Sequence, residues 1–142
     1  MAEGILRHLI IEPEWIACSA GSHPSGHLNP RALAQLNKKG IDTTGLSSNG
    51  WRVFENDPPD IVISVCDQAA GEACPIWTQN AVRAHWGVAD PSRLDADEQE
   101  INDAFETTFQ ILYGRIEQLL VLPVETMSKD ELQQTLNKIG AR

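Results

Sequence analysis

Residues 60–66 are DIVISVC. Ile61, Val62, Ile63 and Val65 are apolar and β-branched at both odd and even positions, whereas a strand with one wet face alternates apolar with polar. The stretch therefore predicts a central strand covered on both faces, the habit of a parallel sheet flanked by helices. Upstream, EWIACSAG (14–21) is a short apolar run ending in small residues, which predicts a buried strand running out into the loop GSHPSGH (21–27). Between the two runs lies a helix signal. Asn29 stands at the N-cap, Pro30 at the first helical position, Leu33 and Leu36 face inward, and Gly40 follows Lys38 and Lys39 as a stop. Strand, helix and strand make a crossover unit.

Downstream, AHWGV (84–88), just before Asp90 and Pro91, predicts a further strand, and a long helix follows from about residue 97 to 122. Asp95 and Glu98 have capping-box spacing, and Ile101, Phe105, Phe109, Leu112, Ile116 and Leu119 form an apolar stripe at helical period before Pro123. The tail SKDELQQTLNKIG repeats the grammar. Ser128 and Glu131 form a second capping box, Leu132, Leu136 and Ile139 share a face, and Gly140 closes the helix. MAEGILRHL (1–9) has helical composition with Ile5, Leu6 and Leu9 on one side and nothing ahead of it to cap it. The expected architecture is α/β: a small parallel sheet flanked by helices over residues 1–122, with a C-terminal helical extension over 123–142.

At 142 residues the chain has the size of one domain and needs no staples. Eleven basic against twenty acidic side chains give a net charge of −9, which offers no footprint for phosphate backbones or anionic lipid. Neither nucleic acid nor a membrane is an expected partner. ILRHLII (5–11) carries Arg7 and His8 and stops at Glu12 and Pro13, so it is neither a signal-peptide core nor a membrane span. Three cysteines, an odd number, fit a reducing compartment and a cytoplasmic protein.

Ligands of open parallel sheets gather beyond the carboxyl ends of the strands. Ser19, Cys66 and Asp90 each follow an expected strand and share that edge. Taken singly, a strand-end cysteine is most often a small hydrophobe and an aspartate before proline a turn residue. Their coincidence on one edge raises the functional reading. Cys66 and Cys74 are open to three readings: a structural disulfide, half of a metal site, or a redox pair. Asp67 and Glu72 have the wrong sign to favour thiolates between them. Cys18 with His23 and His27, or Cys66 with Cys74 and His85, hold zinc-ligand residue types without the paired spacing of a structural zinc site. His23 and His27 are better read as solvated loop positions or anion contacts.

Taken together, MAEGILRHL, SAGSHPSGHLNPRA, GIDTTGLSS, PDIVISVCDQAAGEACPIW and AHWGVADP closely resemble the arsenate reductases built on the low-molecular-weight protein tyrosine phosphatase fold. The resemblance runs from Met1 to about Leu122, and the tail looks like one found in some bacterial members. It implies a four-stranded parallel sheet flanked by helices and thiol-dependent reduction of arsenate, or handling of a phosphate-like oxyanion. It also implies recycling by an external thiol reductant such as thioredoxin or glutaredoxin, with no tightly bound cofactor. By position, Cys66 resembles the resolving cysteine and Cys74 the third cysteine of the thioredoxin-coupled branch. Asp90 matches the general acid of the phosphatase relatives, and Glu3 and Ser19 match positions that help to hold a potassium ion in some members. Cys18 has no role in the resemblance and is expected in the core.

The departures are specific. The family's nucleophilic loop, Cys followed by five residues and Arg, occurs nowhere in the 142 residues; in the family it lies just upstream of the residues that match MAEG. The first strand and loop are therefore expected to be missing from an N-terminally truncated, inactive form. The alternatives are a pseudoenzyme that self-associates as a strand-exchanged homodimer or binds a partner, and a low-molecular-weight phosphotyrosine phosphatase. The interval from Cys66 to Cys74 is one residue longer than in the thioredoxin-coupled branch, and Asn49 replaces an acidic residue of the potassium site.

Overall fold

The computed structural model describes residues 1–66 and 75–142. In chain order the main elements are helix α1 (Ala2–Leu9), helix α2 (Pro30–Lys38), strand β1 (Ile61–Ser64), strand β2 (Val82–His85), helix α3 (Glu98–Leu120) and helix α4 (Lys129–Gly140). Among the described residues the sheet has two strands, paired in parallel with Ile61 opposite Val82 and Ser64 opposite His85. Pairing runs on past the strands: the Trp86 amide donates to the Ser64 carbonyl and the Val88 amide to that of Val65, both at 2.8 Å. The expected strand at 84–88 thus begins two residues earlier and keeps its ladder through Trp86 and Val88.

Helix α2 follows its sequence signals closely. Asn29 Oδ1 accepts from the Arg31 and Ala32 amides, and Pro30 occupies the first turn, where its missing N–H costs nothing. At the other end Gly40 adopts φ +72°. The Ile41 amide returns to the Leu36 carbonyl and the Gly40 amide to that of Asn37, each at 3.0 Å, and Ile41 is buried like Leu36. This is a Schellman stop with its apolar contact, and it needs the left-handed conformation that glycine adopts without strain.

Helix α3 is the centre of the core. Phe105, Phe109, Leu112, Ile116 and Leu119 are all buried along one stripe, and α1, α2 and α4 pack against it. Its capping box is Asp97 with Glu100, two residues beyond the expected pair Asp95 and Glu98. Both acid pairs have the same spacing, and the chain uses the one that follows the turn at Pro91–Arg93 and the short link to Asp97. Glu106, on the same helix, ties α2 to α3: its carboxylate accepts from Lys39 Nζ and Gln35 Nε2 at 2.6 Å and from Gln110 Nε2 at 2.8 Å. These hydrogen bonds, that from Lys39 first, hold its carboxyl at about 2, below the usual value of 4.5. A lowered folded value stabilises the protein fully above the unfolded pKa and is lost as pH falls toward the folded one. Acid unfolding between about pH 4.5 and 2 should therefore be steeper in the native chain than in Glu106→Gln, compared by denaturant midpoints across that range.

Helix α4 begins with the expected Ser128 and Glu131 capping box and lies against β2, burying Leu132, Leu136 and Ile139. Gly140 is the last residue of the helix rather than a left-handed stop. A Cβ there would fall 2.5 Å from both the His85 carbonyl oxygen and Trp86 Cδ1, so the position is glycine because the backbone of α4 touches the sheet. Trp86 is 2 % exposed and donates from Nε1 to the Leu136 carbonyl at 2.8 Å.

The expected first strand is not formed. Residues 15–20 are outside any ladder and meet the rest of the chain's pairing only beyond their end, at an isolated parallel bridge between Gly21 and Gly50. Ile16 is 86 % exposed and Cys18, expected in the core, is exposed too. Composition supplies the apolar side chains of a strand, but a strand exists only with a neighbour's hydrogen bonds, and no described segment offers them here. All four residues of β1 are half-buried rather than covered on both faces, because β2 is its sole described neighbour.

Candidate functional site

The carboxyl ends of β1 and β2 are held in register by the bonds from Val88 to Val65 and from Trp86 to Ser64, so the chain leaves the sheet at the same end twice. Cys66 is half-buried and lies one residue beyond the last of these bonds. Asp90 emerges two residues after Val88, exposed, and caps a short turn: Oδ1 accepts from the Ser92 amide at 2.9 Å and from Ser92 Oγ at 2.6 Å, while Oδ2 lies 3.4 Å from Arg93 Nε. Cys66 and Asp90 are thus on one edge. Ser19, expected beside them, belongs instead to the unpaired segment after Trp15. Cys74 lies outside the described residues, as do Asp67 and Glu72.

Glu3 and Ser19, sixteen residues apart, do meet: Ser19 Oγ donates to Glu3 Oε2. The other oxygen of Glu3 accepts from Arg7 Nη2 at 2.5 Å, one helical turn along α1, and the Glu3 side chain is only 10 % exposed. Arg7 Nη1 reaches on to the Thr44 carbonyl at 3.5 Å. One ion pair therefore links α1, the segment at Ser19 and the loop after Ile41. Asn49 takes no part in it through its side chain, whose Nδ2 donates to Ser47 Oγ at 2.6 Å. Beside this cluster a cleft of about 270 Å³ opens between the start of α2 and the loops, lined by Ser19, His27, Asn29, Ser47 and Asn49 among others.

Cys18 sits next to the same carboxylate. Although Cys18 is exposed as a residue, partial desolvation of its thiol, reinforced by the negative charge of Glu3, raises it above the ordinary cysteine value. Cys18 is therefore a poor thiolate. Cys18, His23 and His27 do not form a metal-ligand group, since among the described residues no three of His, Cys, Asp and Glu converge; the set of Cys66, Cys74 and His85 includes Cys74, which lies outside the described residues. His23 and His27 are exposed, and His23 Nδ1 lies 3.2 Å from Ser22 Oγ. His85 faces Ser64 across the sheet, Nδ1 to Oγ at 2.8 Å. No described helix is long and apolar enough to cross a membrane.

Sequence reasoning passed over Arg7 and the Ser64–His85 pair. The spacing Glu3 to Arg7, acid before base by four residues, was a readable signal of an intrahelical ion pair. The Ser64–His85 contact depends on strand register and has no local signature.

Comparison with known proteins adds to this geometry. Residues 1–136 match the model of the family described as low molecular weight phosphotyrosine protein phosphatase. Among individual relatives, the chain is 34 % identical over 100 residues to an arsenate reductase of Shouchella clausii, with 70 % of each chain covered. It is 32 % identical over 120 residues to arsenate reductase 1 of Staphylococcus epidermidis, covering 82 % of this chain and 86 % of that one. It is 34 % identical over 103 residues to an arsenate reductase of Bacillus subtilis, again with 70 % of each covered.

Proposed function

The chain belongs to the low molecular weight phosphotyrosine protein phosphatase family, and on that premise we propose that it serves the reduction of arsenate to arsenite by thiol chemistry, with Cys66 as the resolving thiol. The observation that carries this reading is the placement of Cys66 one residue past the last ladder bond of β1, on the sheet edge to which Asp90 also comes. The names of the relatives, arsenate reductases at 32–34 % identity, support the choice of substrate.

In the proposed step a nucleophilic cysteine has already displaced water from arsenate to give a sulfur–arsenic(V) adduct. The Cys66 thiolate attacks the adduct's sulfur. A sulfur–sulfur bond forms, the sulfur–arsenic bond breaks, and its electron pair stays on arsenic, which leaves as arsenite. Two thiols are oxidised and arsenic is reduced by two electrons. A dithiol reductant of the thioredoxin or glutaredoxin class then reopens the disulfide by exchange. Cys74 is the proposed relay thiol, and Asp90 the proposed proton carrier at the oxyanion.

The first thiolate has no source in the 142 residues, which contain no Cys-x5-Arg sequence. The chain alone is therefore expected to show no arsenate turnover, and the chain joined to a Cys-x5-Arg loop is expected to show it with a dithiol reductant. In that joined form Cys66→Ser should lower turnover by about 10³-fold or more, whereas Cys18→Ser should leave it within about two-fold. Equal turnover in the two variants overturns the role of Cys66. Phosphate-monoester hydrolysis that survives both substitutions, without arsenate reduction, assigns the chain to the phosphatase side.

The half-buried state of all four β1 residues favours a second reading, a non-catalytic protein that completes its sheet with another copy of itself. The mass in solution of the 142-residue chain alone separates the two. A 15.6 kDa monomer removes the self-associating version.

A further inference from the structure

We propose that Arg7 does for Glu3 what a bound potassium ion does at the matching positions of other family members, so that this chain's fold is indifferent to monovalent cations. The proposal is independent of the arsenate reading and rests on the cluster at Glu3. The Glu3 side chain is nine-tenths buried, and a carboxylate so placed needs a positive charge or several donors. It has both: the guanidinium of Arg7 on one oxygen at 2.5 Å and the hydroxyl of Ser19 on the other.

A cation at this carboxylate would stand against the guanidinium at close range, a like-charge contact; the other acid that feels Arg7 is Asp42, whose carboxylate is engaged with the Thr44 amide. Asn49 brings a neutral amide where an acid would be needed, and that amide is turned to Ser47. Among the described residues no third His, Cys, Asp or Glu joins the group. Lys38 and Lys39 are engaged with Glu106, so among the described side chains Arg7 is the cation that pairs directly with Glu3, with the Met1 ammonium adding positive charge nearby. Because Arg7 also bonds the Thr44 carbonyl, the internal cation fixes the loop that an ion would otherwise gather.

The test is thermal unfolding of the 142-residue chain in potassium, sodium and choline chloride at equal ionic strength. The native chain should melt at the same temperature in all three, within about 1 °C. Arg7→Gln should melt about 4 °C or more lower in choline, and should recover part of that loss in potassium or sodium, because the vacated carboxylate then has room for an ion. Adding Glu3→Gln to Arg7→Gln should abolish the difference between salts. Should Arg7→Gln not fold, Arg7→Lys, which keeps a charge within reach of Glu3, should fold and melt alike in the three salts. Selective stabilisation of the native chain or of Arg7→Lys by potassium over choline overturns the proposal. So does an Arg7→Gln variant that matches the native chain in choline, one that loses equally in all three salts, or a salt response that survives removal of the Glu3 charge.

Discussion

Trp86→Ala is expected to lower the unfolding free energy by about 3–5 kcal/mol, the usual cost of deleting a large buried aromatic side chain. Against the roughly 5–15 kcal/mol that holds a domain of this size together, that loss takes much or all of the margin. The size of the effect follows from three roles at one position. The residue is only 2 % exposed, its Nε1 donates to the Leu136 carbonyl of α4, and its main-chain carbonyl accepts from Arg115. Urea unfolding would show a lower midpoint with an unchanged slope. Trp86→Phe separates the roles: it keeps most of the packed ring, loses the one hydrogen bond, and should cost only about 1 kcal/mol beyond the lost area. Equal losses in the two variants would mean that the bond, not the packing, carries the site.

The second large effect is expected at Arg115. This guanidinium is buried, and it donates to the Trp86 carbonyl at 2.7 Å, the Gly140 carbonyl at 2.9 Å and the Arg142 carbonyl at 3.2 Å. It thereby fastens the end of α4 to the strand that leads toward Asp90. Arg115→Met retains the apolar stem but leaves these carbonyls without their charged donor, at a cost of about 3 kcal/mol in chemical denaturation. Arg115→Lys should restore only part of it, because a point charge cannot span three acceptors as the planar fork does. Since Trp86 and Arg115 fasten the same helix, the double variant should lose less than the sum of the single losses. Simple additivity would mean that α4 is attached through independent contacts.

The parts of the fold that were legible in the sequence are those decided within a few residues. The start and stop of α2 depend on Asn29, Pro30 and Gly40, and the start of α4 on Ser128 and Glu131, all of which make the expected local bonds. The apolar stripe of α3 was legible for the same reason. Its capping box was not, because two acid pairs of equal spacing overlap and the preceding turn chooses between them. Residues 15–18 have the composition of a strand, but Ile16 faces water, since a ladder requires a partner that local composition does not contain. Gly140 looked like a helix stop and is a contact glycine, a distinction that lies in the distance to Trp86. At the site, the shared edge of Cys66 and Asp90 was readable from strand order. The meeting of Glu3 with Ser19 came from the resemblance, and the facing of Ser64 and His85 from register alone.

Fifty residues separate Trp86 from the Leu136 carbonyl that receives its indole proton. At the roughly 5–20 residues per second of protein synthesis, β2 is made about 3–10 s before the helix that covers it. During that interval Val82, Ala84 and Trp86 lack the cover of α4, and the nascent chain carries a sticky strand that α4 has yet to hide. Any partner that shields apolar segments on the ribosome would find its longest opportunity there, and the yield of folded protein should respond to translation speed between the codons for Trp86 and Leu136 more than over those ahead of β2.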